Sequence, residues 1–389
     1  MKKLLIITTI AIVTAIWFVW QQSTPTIAEA DTSLLPLLVD DGSGAAFAQA
    51  TEPNAISFPE DLGAHNEYQT EWWYYTGNLE TETGRPFGFQ FTIFRRALAA
   101  DAVPEAAPNS ASDWRSNQVY LAHFALSDIA NEQFYAHERF SRAGAELAGA
   151  TAVPYRVWLE NWFVEEVAPG QVRLFAADEE VTLDLILNET LPPVLHGNGG
   201  LSQKGEQVGN ASYYYSIVRQ EAGGTVTVKN ETVDVTGLAW KDHEYSTSAL
   251  TAGDVGWDWF SLQFDNGTSL MFFQIRREDG TLSPLSSGSF IDADGTLQSF
   301  TADDWALTVT DTWTSPTSGS TYPAGWQISV PTFGIELEGR PFMPNQELNV
   351  STVYWEGAVQ FSGTMNGKAV SAKGYIEMTG YAGGMNGRL

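Results

Sequence analysis

The chain has 389 residues, and acidic side chains outnumber basic ones by 47 to 20, which gives a formal net charge of −27. Such a charge opposes binding to nucleic acid or to an anionic membrane surface. The absence of cysteine excludes disulfides, zinc–thiolate sites, iron–sulfur clusters and thiol nucleophiles. Aromatic residues make up 13% of the chain, a content that favours strands and sites where flat rings meet an apolar ligand.

The N-terminus carries the pattern of an export signal. Lys2 and Lys3 precede an uncharged apolar run at residues 4–20, and the polar stretch that follows ends in the small-x-small sequence Ala28-Glu29-Ala30. This pattern predicts a signal peptide at residues 1–30 that is cleaved after Ala30. The apolar run also reaches the short end of a membrane-spanning helix, so an uncleaved anchor is the alternative. Either form predicts an exported body, in the periplasm or outside the cell.

The next segment, residues 31–55, is rich in Ala, Ser and Thr and predicts a linker. From Ile56 onward, short aromatic and β-branched runs alternate with turn residues, which is typical of strands. The predicted strands include Gly88 to Phe94, Val119 to Leu126, Val181 to Leu187, Tyr213 to Val218, Thr225 to Val228, Ser269 to Ile275 and Val353 to Phe361. Tight turns are predicted at Asp265-Asn266-Gly267, Asp279-Gly280, Asp294-Gly295 and Asn366-Gly367. With a long polar loop at residues 101–118 and no long amphipathic helix, the fold class is all-β.

One pattern occurs twice: an aromatic strand, a turn, a second aromatic strand and then two arginines, at residues 72–96 and again at residues 257–277. A duplicated unit explains it, and predicts a first β-domain at residues 56–248 and a second at residues 249–389. Chance similarity between two aromatic hairpins is the alternative. An up-and-down barrel of this size can enclose a cavity for one apolar ligand, whereas a simple sandwich has none, and periodicity alone does not separate the two folds.

Several short segments combine aromatic and acidic residues in an uncommon way. They are residues 58–65 (FPEDLGAH), 70–77 (TEWWYYTG), 211–216 (ASYYYS), 237–244 (GLAWKDHE), 256–261 (GWDWFS), 354–359 (YWEGAV) and 374–381 (GYIEMTGY). In this order the segments resemble the family that joins AttH-type secreted proteins to bacterial carotenoid 1,2-hydratases. The resemblance covers the chain from about Ile56 to the C-terminus, and it implies two tandem lipocalin-like β-barrel domains packed together.

Some members of that family hydrate the terminal trisubstituted double bond of acyclic carotenoids. The resemblance implies reliance on an Asp-His-x-Trp motif and on a Tyr and an Asp in a following strand. Here Asp242-His243-Glu244-Tyr245 matches the motif, with Tyr245 in the place of Trp. The second pair would fall at residues 272–274, which are Phe, Phe and Gln, so the chain departs from the pattern there.

Hydration of an unactivated alkene requires a positioned acid, a surface that stabilises a carbocation and one held water. A desolvated carboxylic acid keeps its proton, and aromatic faces stabilise cations. The predicted catalytic residues are Asp242, His243, Glu244 and Tyr245. The predicted ligand-binding residues are Glu71, Trp73, His123, Trp240, Trp257, Asp258 and Trp259. This chemistry needs no metal, nucleotide or redox cofactor.

Each of these residues has a structural alternative. The acids beside His243 could form a hydrogen-bonded hinge between the domains, and Glu71 could pair with Arg95 or Arg96. His123 is predicted to be a satisfied histidine of a barrel interior, and the tryptophans and Glu377 are most simply core residues. The segment His196-Gly197-Asn198-Gly199-Gly200 predicts a turn, because it lacks the strand-to-helix context of a phosphate loop.

Three functions are therefore open. The first is an exported carrier or sequestering protein that binds a long apolar ligand, such as an isoprenoid or a fatty acyl chain. Alternatively, the protein is a cofactor-free hydratase that acts on such a molecule, or a structural envelope protein with filled barrels. The expected partner is an apolar small molecule and not nucleic acid, with the membrane as a partner if the anchor is kept. The sequence does not indicate the oligomeric state.

Overall fold

A computed structural model describes residues 46–100, 116–247, 250–251 and 253–383. The predicted signal peptide, most of the linker and most of the loop at residues 101–118 lie outside the described residues. In the part of the chain that the structure describes, no helix is long and apolar enough to span a membrane. Phe47 and Ala50 are already buried, and Ala50 forms a β-bridge with Gly209, so packing begins before the expected start at Ile56.

Strands dominate the described residues, which confirms the all-β fold class, and each predicted strand lies within one of them. The first sheet contains β1 (Thr70–Glu80), β2 (Pro86–Ala97), β3 (Gln118–Asp128), β4 (Gln133–Arg142), β5 (Ala148–Thr151), β6 (Arg156–Leu159), β7 (Trp162–Ala168), β8 (Gln171–Ala177), β9 (Val181–Glu189), β10 (Val194–Leu195), β11 (Leu201–Gln203), β12 (Ala211–Val228) and β13 (Glu231–Ser246). The second contains β14 (Asp254–Phe264), β15 (Ser269–Arg277), β16 (Ser287–Ile291), β17 (Leu297–Thr301), β18 (Ala306–Thr314), β19 (Thr321–Val330), β20 (Ile335–Pro341), β21 (Glu347–Asn349), β22 (Val353–Met365) and β23 (Lys368–Met378). Single turns of 3₁₀-helix occur at Glu60–Leu62, Ile129–Asn131, Gly144–Glu146, Ala302–Asp304 and Pro331–Phe333.

The first sheet runs in the order β4-β3-β2-β1-β13-β12-β9-β8-β7-β6-β5, with every pair antiparallel. It curls into a nearly closed barrel, here called the first barrel. Its interior is filled by buried apolar side chains, among them Trp73, Tyr75, Phe91, Phe124, Trp162 and Leu185. Side chains therefore fill the interior of the first barrel, as they do in small β-barrels.

The second sheet runs in the order β17-β16-β15-β14-β23-β22-β20-β19-β18 and forms a half-barrel, here called the second barrel. Its concave side holds a separate apolar cluster that includes Phe260, Phe272, Trp326, Trp355 and Phe361. The two tandem barrels agree with the predicted fold class. The chain passes from one sheet to the other between Ser246 and Asp254. The predicted domain boundary, between residues 248 and 249, falls in this connection, and both of these residues lie outside the described part of the chain.

The hairpins β1–β2 and β14–β15 occupy equivalent places in the two sheets. Glu71 lies opposite Arg95 in the first hairpin, and Gly256 lies opposite Arg276 in the second. Strand β13 completes the first hairpin on its other side, as β23 completes the second. The repeated sequence pattern therefore reflects a repeated arrangement of three strands, which supports duplication over chance similarity.

The two barrels contact each other through these equivalent strands. The Asn78 side-chain amide donates a hydrogen bond to the Gly374 carbonyl at 2.9 Å, and the Gln263 amide donates to the Ala239 carbonyl at 3.0 Å. Asn78 and Gln263 hold matching places in β1 and β14, and the two carbonyls hold matching places in β23 and β13. The contact thus has the reciprocal character of a two-fold interface, although it lies within one chain.

Candidate active site

Strand alternation divides the predicted catalytic residues between two sides of the first barrel. Successive side chains of a strand point to opposite faces of the sheet. In β13, Asp242 and Glu244 face the second barrel, while His243 and Tyr245 face the interior of the first barrel. The four residues are adjacent in sequence, yet they belong to two separate clusters.

The cluster inside the first barrel is centred on Glu71, which is fully buried. One oxygen of Glu71 hydrogen-bonds His65 Nδ1 at 2.7 Å and His243 Nε2 at 2.8 Å. Its other oxygen accepts a hydrogen bond from Arg95 Nε at 2.7 Å, which confirms the alternative pairing considered from the sequence. His65 Nε2 contacts Asp61 Oδ1 at 2.6 Å and extends the network.

The charges of this cluster balance one another. Burial opposes ionisation of Glu71, but Arg95 and the two imidazoles outweigh it and hold the pKa of Glu71 well below its usual value. Burial also opposes charge on His65, yet its two carboxylate partners raise its pKa to about 9. For His243, burial dominates and lowers the pKa to about 4.

Ligand atoms of His65, Glu71 and His243 lie within 4.8 Å of one another, a spacing that a metal ion could use. Metal binding is not the role that these groups favour, because the Glu71 carboxylate already accepts hydrogen bonds from both imidazoles and from the Arg95 guanidinium. Rings close the cluster, since Tyr245 stacks on His65 and Trp73 stacks on His243. We therefore assign His65, Glu71 and His243 to a structural role, in a network of ion pairs and hydrogen bonds inside the first barrel.

The other face of β13 borders a pocket between the two barrels, here called the inter-barrel pocket. Its apolar walls are Trp72, Tyr74, Phe94, Tyr214, Leu250, Trp257, Trp259, Phe273 and Ile275. Its polar groups are Lys204, Asp242, Glu244, Ser246 and Glu377. The cavity measures about 90 Å³, which is room for several waters. It is a narrow aromatic slot in which acids face flat rings.

Asp242 is held at the wall of this pocket by three hydrogen-bond donors. Trp240 Nε1 donates at 2.6 Å and the Tyr214 hydroxyl at 2.8 Å, and the Ser216 hydroxyl donates to the same oxygen as Trp240. Burial disfavours the carboxylate and raises the pKa of Asp242 to about 7, although the three donors act in the opposite direction. Asp242 can therefore exchange a proton near neutral pH.

Glu377 enters the same pocket from the second barrel. Its carboxylate accepts a hydrogen bond from Trp257 Nε1 at 2.8 Å, and its side chain remains partly exposed. Burial raises the pKa of Glu377 to about 7, and the charges of Asp242 and Glu244 add to the rise. Glu244 differs from both, because it forms an ion pair with Lys204 at 3.1 Å.

The AttH-like family model matches residues 49–381 of the chain. The protein belongs to the AttH-like family. A crystal structure of a protein assigned as AttH from Nitrosomonas europaea superposes on this chain with a TM-score of 0.75 and 37% sequence identity. The match covers 86% of this chain and 100% of the Nitrosomonas europaea protein. The structure of kievitone hydratase from Nectria haematococca gives a TM-score of 0.63 at 16% identity over 87% of this chain and 97% of that protein, which shows a shared fold.

Two relatives with assigned activities are similar in sequence to this AttH-like protein. Kievitone hydratase of Fusarium solani subsp. phaseoli is 25% identical over 268 residues, which are 66% of this chain and 74% of the relative. The dehydratase asqC of Emericella nidulans is 21% identical over 219 residues, which are 53% of this chain and 60% of the relative.

Glu377 is the pocket residue that sequence reasoning assigned to the core. The duplication contained the signal that could have found it. Tyr74 lies opposite Asp242 in the first sheet, and its equivalent Trp259 lies opposite Glu377 in the second. The two acids therefore hold matching places in the repeated three-strand unit, which brings them to the same interface.

His123 lies outside the pocket, and its predicted place in a barrel interior is wrong. Its strand turns Ala122 and Phe124 into the first barrel, so His123 faces the second barrel instead. There Nδ1 contacts the Tyr354 hydroxyl at 2.7 Å and Nε2 contacts Glu138 at 3.1 Å.

Asp258 also lies away from the pocket, on the concave side of the second barrel. It accepts a hydrogen bond from the Gln274 amide at 2.6 Å and pairs with Arg276 at 3.2 Å. Its neighbours Trp257 and Trp259 point the other way and line the pocket, as strand alternation requires. The segment at residues 272–274, where the resemblance implied a Tyr and an Asp, contributes Phe273 to the pocket.

Proposed function

We propose that this AttH-like protein is a hydratase that adds water to a carbon–carbon double bond in the inter-barrel pocket, or a dehydratase that removes water from an alcohol there to form such a bond. The observation that carries the proposal is a pair of carboxyl groups, Asp242 and Glu377, each with a pKa raised to about 7 by burial and set among aromatic rings. The sequence similarity to kievitone hydratase and to the dehydratase asqC supports this class of reaction.

The hydrogen bonds assign different roles to the two acids. Asp242 accepts three hydrogen bonds, and donors of this kind favour the ionised form of a carboxyl group. Glu377 accepts one, from Trp257, and is partly exposed to the pocket. We therefore assign the role of proton donor to Glu377 and the role of proton acceptor to Asp242 in the hydration direction.

For hydration, Glu377 transfers its proton to one carbon of the double bond, and the π electrons form the new C–H bond. The other carbon becomes a carbocation beside the rings of Trp257 and Trp259, whose π faces stabilise positive charge. Water adds its lone pair to that carbon and gives a proton to Asp242. The products are an alcohol, ionised Glu377 and protonated Asp242; dehydration is the reverse sequence.

The substrate that fits this chemistry is apolar, with a trisubstituted double bond that yields a tertiary carbocation. A long isoprenoid satisfies both conditions, with its reacting end in the slot and the rest of the chain outside it. Asp242 and Glu377 are held by neutral donors, and neither forms an ion pair with a cation among the described residues, an arrangement that a carrier does not need. That observation favours an enzyme over a carrier.

The test is to incubate the purified protein with geraniol, squalene and lycopene, and separately with the corresponding tertiary alcohols, and to weigh the products. We expect a gain or a loss of one water that is absent with Asp242→Asn and with Glu377→Gln. A compound that is retained unaltered would make the protein a carrier, and a product that persists in both variants would overturn the assignment of the site.

We also propose that the reaction takes place outside the cytoplasm, after export directed by residues 1–30. The lysine pair, the apolar run and the small-x-small sequence of the leader support this location. Sequencing the N-terminus of the protein recovered from its producing cell should give Asp31 as the first residue. An intact leader in a membrane fraction would support the anchored form, and an intact leader in the cytoplasm would contradict export.

A further inference from the structure

A second cavity lies beside the inter-barrel pocket and shares Phe273 with it. The cavity measures about 240 Å³, which is room for several waters. Its lining is rich in hydroxyl and other polar groups, contributed by His196, Ser202, Ser287, Ser289, Ser299, Thr301 and Asp304. We call this space the side pocket.

His196 connects the side pocket to Asp242. Its ring is buried, with Nδ1 at 2.9 Å from the Ser289 hydroxyl and Nε2 at 2.6 Å from the Ser216 hydroxyl. The Ser216 hydroxyl in turn donates a hydrogen bond to Asp242. An unbroken chain of three side chains thus runs from the side pocket to the carboxylate.

The contacts fix the tautomer of His196. Ser216 has one hydroxyl proton and gives it to Asp242, so Ser216 must accept a hydrogen bond from Nε2–H. Nδ1 then carries no proton and accepts a hydrogen bond from Ser289. Burial, together with the nearby charge of Lys204, lowers the pKa of His196 to about 3, so the ring is neutral and can accept at one nitrogen while it donates at the other.

We propose that His196 is a positioning residue for Asp242, and that Ser289, His196 and Ser216 form the path by which protons pass between Asp242 and the side pocket. This inference rests on the proposed function, in which each turnover changes the protonation of Asp242. Glu377, which is partly exposed, exchanges its own proton with solvent in the inter-barrel pocket once product has left.

The transfer balances at every atom. After dehydration, Asp242 is a carboxylate, and Ser216 passes its hydroxyl proton to it. His196 passes the Nε2 proton to Ser216, Ser289 passes its proton to Nδ1, and a water in the side pocket replaces the proton of Ser289. After hydration, the reverse transfers begin once His196 has adopted the tautomer with its proton on Nδ1. Nδ1 then passes its proton to Ser289, which releases one to water, while Ser216 passes its proton to Nε2 and takes the proton of Asp242.

Other ionisable groups around Asp242 also influence its pKa. Tyr214 and Glu244 face it from the first barrel, and Glu377 faces it from the second. Lys204 neutralises Glu244 by a direct ion pair. The His196 ring also packs against the ring of Tyr214, with 4.3 Å between the two centroids. A change at His196 can therefore reach Asp242 through Ser216 and through Tyr214, and His196→Gln, which removes the ring but keeps a donor to Ser216, separates the two routes.

The test uses the ligand-free protein with ¹³C-labelled aspartate carboxyl groups and follows the Asp242 signal, identified by its loss in Asp242→Asn, as a function of pH. His196→Leu should raise the Asp242 midpoint by about one pH unit, because Ser216 loses the partner that fixes its hydroxyl. His196→Gln should restore the midpoint, because a side-chain amide still donates to Ser216. His137→Gln, the same change at a histidine of the first barrel away from both pockets, should leave it unmoved.

A second variant, Ser289→Ala, tests the same role if His196→Leu does not fold. Ser289→Ala removes the hydroxyl that holds Nδ1, so the His196 ring is fixed through Nε2 alone and its hydrogen bond to Ser216 is less well oriented. The Asp242 midpoint should rise in this variant as well. Midpoints that stay at the wild-type value in folded His196→Leu and Ser289→Ala would overturn the positioning role.

Turnover separates the proton path from the proposed function on which it rests. His196→Gln keeps the hydrogen bond but cannot relay a proton, so kcat should fall about tenfold with KM unchanged. Full kcat in His196→Gln, with turnover abolished by Asp242→Asn, would overturn the path alone. Full turnover in Asp242→Asn would overturn the proposed function, and the titration of the ligand-free protein would still decide the positioning role.

Discussion

The two barrels differ in their interiors at the very place where their hairpins correspond. In the first barrel, Glu71 lies opposite Arg95 and is enclosed with two histidines. In the second barrel the matching place is Gly256, and the acid that pairs with Arg276 is Asp258, two residues further along β14. Each interior thus encloses an acid–arginine pair, but each builds it from a different position of the repeated unit.

The faces that the barrels turn toward each other are more alike. Asp242 and Glu377 hold equivalent positions, each accepts a hydrogen bond from a tryptophan, and each has a pKa raised to about 7 by burial. The interiors hold paired charges that secure each barrel, whereas the facing surfaces carry the two acids to which the proposed function assigns the chemistry. A site of this kind exists only when both halves are present.

The largest expected effect falls on the facing surfaces. Asp242→Asn and Glu377→Gln should each lower kcat by about 10²- to 10⁴-fold, the usual contribution of general acid–base catalysis. Both variants should remain folded, because an amide can still take part in hydrogen bonds with the neighbouring donors and hydroxyls. Rates of product formation on the folded proteins check this, and a full rate in either variant would show that the two acids do not act as a pair.

The next effect belongs to the interiors and should differ between them. Glu71→Gln breaks a fully buried ion pair and should lower the free energy of unfolding by about 3–5 kcal/mol. Asp258→Asn should cost less, about 1–3 kcal/mol, because the Arg276 side chain keeps some contact with solvent. Urea unfolding of the two variants measures this order, and equal losses would contradict the contrast drawn between the interiors.

Stability should depend on pH with opposite signs in the two regions. The pKa of Asp242 is raised, so its carboxyl contributes stability below about pH 4 that is lost as pH rises through about 7. The pKa of Glu71 is lowered, so its contribution is present above about pH 4 and is lost as pH falls further.

Asp242→Asn should therefore be more stable than the wild type at pH 8, by roughly 2–4 kcal/mol, with the advantage gone near pH 4. Unfolding curves across this range check the prediction. An Asn variant that is less stable than the wild type at pH 8 would show that the buried carboxylate is stabilised by its donors more than burial costs it.

The smallest expected effect concerns the reciprocal hydrogen bonds between the barrels. Asn78→Ala should cost about 1 kcal/mol, the net value of one hydrogen bond. Gln263→Ala should cost up to about twice as much, because its amide donates to both Val218 and Ala239 carbonyls. Thermal unfolding of the two variants tests how evenly the two halves share their interface.

Local sequence predicted the strands and turns well, for reasons that are themselves local. Asn366 and Gly367 end β22 with positive φ values of 51° and 74°, the backbone that this dipeptide favours in tight hairpins. The repeated aromatic hairpin likewise predicted two related barrels. Turn chemistry and strand alternation act over a few residues, so they can be read directly from the sequence.

The site was predicted less completely, because it depends on which face of a strand meets which barrel. The resemblance grouped Asp242 with His243, yet alternation in β13 sends them to opposite faces. Glu377 joins Asp242 only through the pairing of distant strands, and no local pattern around Glu377 indicates that contact. The inter-barrel pocket lies between the two sheets and not within one of them, which neither composition nor periodicity can show.

The most direct test compares neighbouring residues on the two faces of β13. Product formation should be measured for Asp242→Asn, which alters the inter-barrel pocket, and for His243→Gln, which alters the interior of the first barrel, with each rate divided by the folded fraction from circular dichroism. We expect the Asp242 variant to lose turnover and the folded His243 variant to retain it. Loss of turnover in folded His243→Gln, with full turnover in Asp242→Asn, would contradict the proposed site and move the chemistry into the first barrel.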